Sequence, residues 1–167
     1  PRSVRGVGQM IMSAAKMSAL AVPSSFTARI PFVHVRDVAQ AALRVALESR
    51  AEGEAFNVND DSLMSMVDFM RTVARIRGAR FVELPPLPMA LVRPMLTSAI
   101  QLSKLVPSQV AEHLPVIDEE LTSSFGCDFV FSTDKLKQLG FEYLYPDAAV
   151  GIEETIAWYG EQGWLEG

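Results

Sequence analysis

The chain has 167 residues, 49% of them hydrophobic and 21% charged, with a formal net charge of −5. That length fits one domain, residues 1–167, and the composition supports a sizeable core rather than wholesale disorder. The acidic balance argues against a nucleic-acid partner, because phosphate contacts need a basic face. Arg71, Arg75, Arg77 and Arg80 cluster, but they read as the solvated face of one helix.

The single cysteine, Cys127, excludes an intramolecular disulfide, and with only His34 and His113 beside it no metal site is expected. No apolar run reaches the roughly 18 residues needed to cross a bilayer, and the first residues lack the pattern of a signal peptide. A cytoplasmic protein, or a piece of one, without a membrane partner is the expectation.

In chain order, residues 4–20 carry Val7, Met10, Ile11, Ala14, Met17 and Leu20 at helical spacing, with Pro23 as the break. Residues 29–35 read as a strand. Asp37 follows as a helix cap, placed to accept orphan N–H groups of a helix that buries Val38, Ala42, Leu43, Ala46 and Leu47 and ends near Arg50. Glu54 to Val58 reads as a second strand. Asp60, Asp61 and Ser62 offer caps for a helix over about 63–77, and Gly78 stops it.

Arg80 to Leu84 reads as a third strand. Residues 85–117, punctuated by prolines and rich in Leu, Met and Val, form a variable lid-like segment with one or two helices at roughly 87–105. Phe129 to Phe131 is a last extended piece. Ser132 and Thr133 cap a short helix ended by Gly140, and Asp147 caps the final helix. The shifting period predicts an α/β or α+β fold of short strands with several helices.

The stretch from Pro31 to Leu43, Pro-Phe-Val-His-Val-Arg-Asp-Val-Ala-Gln-Ala-Ala-Leu, resembles the strand-to-helix junction in the second half of extended short-chain dehydrogenase/reductases, the NAD-dependent epimerase/dehydratase kind. Gly53 to Val58, Phe81 to Pro85, Phe131 to Phe141 and Gly151 to Tyr159 are similar to later landmarks of that family, in its order. Arg5-Gly6-Val7-Gly8 stands where the family often has a Tyr-Gly-Pro-Gly loop.

The resemblance implies the C-terminal, substrate-binding portion of an extended Rossmann-type reductase. NAD(P) is implied for a full-length parent, held by a missing N-terminal Rossmann domain. This chain lacks the dinucleotide fingerprint: Gly6 and Gly8 are not followed by a third glycine, position 11 being Ile11. It also lacks the family's Tyr-x-x-x-Lys pair, since Tyr143, Tyr145 and Tyr159 are followed at that spacing by Asp147, Ala149 and Gly163.

No catalytic or cofactor-binding residue is therefore assigned, and the chain alone is expected to be inactive. Ile30 stands where nucleotide-sugar epimerases tend to have arginine, which speaks against a sugar-nucleotide substrate, and the many Met and Leu residues at 87–106 fit an apolar small molecule better. His34, Arg36, Arg5 and Asn57 are the candidate substrate-binding residues. Each has a plainer reading as a structural histidine, a surface ion pair, a loop residue or a turn residue. Asp37 is read as a structural cap.

The alternative to a reductase half is a stand-alone small-ligand or protein-interaction module that self-associates. Either way a homo-oligomer, a dimer first of all, is expected.

Overall fold

The computed structural model describes Ile11, Ala14 and residues 17–103 and 126–165. Arg5, the expected helix up to residue 16 apart from Ile11 and Ala14, and the lid segment beyond residue 103 lie outside the described residues. Two strands, β1 (Ala19–Pro23) and β2 (Arg80–Leu84), pair in parallel with Leu20 opposite Phe81 and Val22 opposite Glu83. Parallel strands need a long crossover. Here it contains α1 (Val35–Ala46) and α2 (Met66–Arg77), and α3 (Met89–Ser103), α4 (Asp134–Lys137) and α5 (Ala148–Glu161) follow β2. The expected mixture of short strands and several helices is what the described residues form.

The main core lies between α2, α5 and β1. Phe69 and Val73 of α2 are fully buried, and Ile152, Ile156 and Tyr159 of α5 meet them together with Leu20. Phe32 stacks on Phe69 with ring centroids 5.1 Å apart. A smaller cluster joins Ala41 of α1 to Leu136 and Phe141, with Phe56 and Val58 packed against it.

Several expected elements differ. Leu20 belongs to β1 rather than to a helix; a buried alternation of Leu20 and Val22 sits where helical spacing was also satisfied. Residues 29–35 are not a strand. They make one antiparallel bridge, Arg29 with Ser65, because residues 26–32 run beside the start of α2 and exchange Ile30 N–H to Met64 O and Met66 N–H to Ala28 O bonds instead of joining the sheet.

Residues 54–58 form no strand with any described residue. Phe129 to Phe131, expected as an extended piece, carries no helix or sheet assignment, and the Phe129 N–H donates to Arg29 O. The expectation that α1 buries Val38, Leu43 and Leu47 is reversed: these side chains are exposed, and Asp37 and Ala41 are the buried ones.

Helix α2 is capped by Ser65, whose Oγ accepts from the Asp68 N–H at 3.2 Å, not by the earlier Asp60, Asp61 or Ser62. Gly78 ends it at φ +67°, a left-handed conformation that suits a residue without Cβ. Arg71 on its exposed face pairs with Asp68 and Glu83, linking α2 to β2.

Phe69→Ala removes a side chain with no solvent exposure at the centre of the core. Urea denaturation is expected to show a loss of about 3–5 kcal/mol; a loss within experimental error would place the core elsewhere.

Candidate functional site

Three of the sequence's candidate residues, His34, Arg36 and Asp37, sit on the first turn of α1 and its cap. His34 is the N-cap: its Nδ1 accepts from the Arg36 N–H at 3.4 Å. Its ring packs on Tyr145 with centroids 4.0 Å apart. Arg36 donates from Nη1 to the Tyr145 hydroxyl at 3.1 Å and pairs with Glu154 of α5 at 2.9 Å. The hydrogen bond to Glu154 is the main cause holding the Tyr145 phenol above its usual pKa.

Asp37 is not the cap. It lies within the first turn of α1, fully buried, and its two oxygens accept from the backbone N–H groups of Leu144 at 2.7 Å and Tyr145 at 3.1 Å. The physical reason is reach: His34 already caps the helix, so the carboxylate is free to point across to the loop before α5. Sequence reasoning missed Tyr145 and Glu154, since nothing local in the chain signals a partner more than 100 positions away.

Asn57 lies apart from this cluster, its amide donating to Ser132 O at 3.3 Å. Arg5 lies outside the described residues. The structure therefore gathers His34 and Arg36 around Tyr145 and leaves Asn57 at the 132–135 turn.

Two open hollows among the described residues lie elsewhere again. One of about 460 Å³ is lined by Asp61, Ser62, Leu63, Met64, Asp68 and Asp147, and one of about 360 Å³ by Asp61, Lys137, Phe141, Glu142 and Tyr143; Pro146 borders both. Lys137 neutralises their shared Asp61 at 2.7 Å. Behind them Asp60 is buried, and burial is the leading cause that raises its carboxyl above the usual aspartate range, against the hydrogen bonds from Ser62.

No group of metal-ligating side chains occurs among the described residues. A dinucleotide needs a glycine turn between a strand and a helix. The turn after β1 offers none: Pro23-Ser24-Ser25 is tied down by the Ser24 N–H on Leu84 O and by Ser25 Oγ on the backbone of Leu87. That turn does not fit a dinucleotide pyrophosphate.

Among them, no helix is long and apolar enough to cross a membrane. The fold and these contacts thus define a mixed α/β chain in which His34 and Arg36 tie the start of α1 to Tyr145 and Glu154.

No family model and no curated protein matches the chain. A solved structure described as "Crystal structure of gox2253" is similar to it, with a TM-score of 0.61 and 26% sequence identity. The match covers 99% of this chain but 47% of that one, so the chain spans about half the length of that solved protein.

Asp37→Asn replaces one of the two acceptor oxygens with an amide donor facing a backbone N–H. A loss of about 1–3 kcal/mol is expected in denaturant unfolding, and an unchanged midpoint would contradict the clamp.

For Asp60 the folded state holds its proton more tightly than the unfolded state does. Its favourable contribution is complete below the unfolded pKa of about 3.9 and is lost as pH rises through the raised folded value. Asp60→Asn keeps the Oδ1 acceptor for Ser62. It is expected to melt no lower than the parent at pH 7 and to respond less favourably to acidification than the parent does; a lower melting temperature at pH 7 would show that the buried charge stabilises.

Proposed function

We propose that the chain is the substrate-recognition portion of an NAD(P)-dependent oxidoreductase or epimerase of the extended short-chain dehydrogenase/reductase kind. The observation that carries this reading is that the whole chain matches about half of one longer solved protein. The ordered landmarks from Pro31 to Tyr159 support the same division. The other half would supply the dinucleotide cradle and the proton-transfer pair, so this portion is silent by itself and works in the cytoplasm.

Its contribution is shape. The apolar segment that includes α3 exposes Leu91, Met95 and Leu102, which suits an apolar small-molecule substrate. His34 and Arg36 act in this reading through Tyr145 and Glu154, holding the end of α5 nearest the junction.

A second reading, a self-associating module that binds a small ligand or a protein, is favoured by the exposed Val and Leu side chains on α1. The coding DNA immediately upstream of Pro1 separates the two: a Gly-rich strand–turn–helix there supports the reductase half, and a start Met close before Pro1 supports the module.

Titration of the isolated chain into NADH and NADPH, followed by nicotinamide fluorescence, is expected to give no saturable binding. Micromolar binding or turnover would overturn the reading.

A further inference from the structure

Two buried carboxylates hold the loop before α5, and they are built differently. Asp37 uses both oxygens on backbone donors of that loop. Asp60, 4% exposed, has both of its hydrogen bonds on Oδ1, from the Ser62 N–H at 3.0 Å and the Ser62 Oγ at 2.8 Å. Beside it the Asn59 amide donates from Nδ2 to Asp60 O at 3.0 Å, and its buried Oδ1 meets no donor among the described residues. The turn is thus rich in acceptor oxygens and short of donors. A charge there is costly, and a proton on Asp60 both removes the charge and adds a donor.

The surrounding charges act in the same direction. After burial, the carboxylates of Asp147, at the cap of α5, and Asp61, on the turn itself, also push the Asp60 carboxyl upward. Nearby cations are engaged elsewhere: Lys137 of α4 with Asp61 at 2.7 Å, and Arg71 of α2 with Asp68 and Glu83. Glu142 borders the hollow on the other side of Asp61, and burial keeps the Tyr143 phenol there above its usual pKa and neutral.

The same turn is a joint. The Asp60 N–H donates to Phe32 O at 2.7 Å and the Asp61 N–H to Pro146 O at 3.1 Å, so it ties the segment before α1 to the entrance of α5. Leu63, directly after it, lies at φ +47°, a left-handed conformation that a bulky side chain holds only under constraint. Opening the turn releases that strain.

We propose that residues 59–62 form a proton-operated latch on the entrance of α5: with a proton on Asp60 the turn stays closed on Phe32 O and Pro146 O, and loss of the proton loosens it. An opened turn returns Asp60 to water, where its pKa is about 3.9. The closed form holds the proton more tightly. Closure is therefore fully favoured below the open-state value and weakens as pH rises through the raised closed-state value.

Amide hydrogen exchange followed by NMR from about pH 4 to about pH 8 tests the latch, with rates corrected for the intrinsic pH dependence of exchange. Protection of the Asp60 and Asp61 amides is expected to fall roughly tenfold or more across that range, and both should exchange faster than the core amide of Val73 throughout. In Asp60→Asn the fall is expected to vanish. The same fall in the variant, or exchange of these amides only together with Val73, overturns the proposal.

Should the variant not fold, the parent decides. The carboxyl carbon of Asp60, followed by NMR, is expected to titrate with a midpoint above the usual value of about 3.9 and in step with the loss of protection. A midpoint at or below that value, or one that no change in protection accompanies, overturns the latch.

Discussion

One buried carboxylate sets the rest of this structure. Asp37 accepts two backbone N–H groups from the loop before α5, and so fixes the rotation of α1 about its own axis. A carboxylate removed from water must be matched by donors, and the exchange is favourable only because both oxygens are used. Once that contact is made, Ala41 falls into the small cluster with Leu136 and Phe141, and Arg44 reaches Leu139 O. The apolar stripe then has nowhere to go but outward.

The same contact explains why the residues that looked most functional are mainly architectural. His34 caps the helix and rests on Tyr145, while Arg36 bridges Tyr145 and Glu154. Together with Asp37 they tie one end of α1 to α5, and α5 in turn packs on α2 through Ile152 and Ile156. The junction motif is a mechanical link between the two clusters.

Much of the local structure could be read along the chain. The strand at Arg80–Leu84, the glycine stop at Gly78 and the Asp147 cap each follow from short-range rules that the packing does not disturb. The failures share a cause. Leu20 satisfied a helical spacing and a strand alternation at once, and only pairing with β2 decided between them. The periodicity of α1 located its stripe correctly but could not say which side another element covers. That was settled by a hydrogen bond spanning more than 100 positions. Residues 54–58 have the alternation of a strand, but a strand exists only with a neighbour.

Side-chain methyl NMR of the isolated chain with a soluble paramagnetic agent tests the orientation of α1 most directly. The methyls of Val35, Val38, Leu43 and Leu47 should broaden strongly while that of Ala41 stays sharp. The opposite pattern, with the Val and Leu methyls protected and Ala41 broadened, would contradict the account from Asp37 outward.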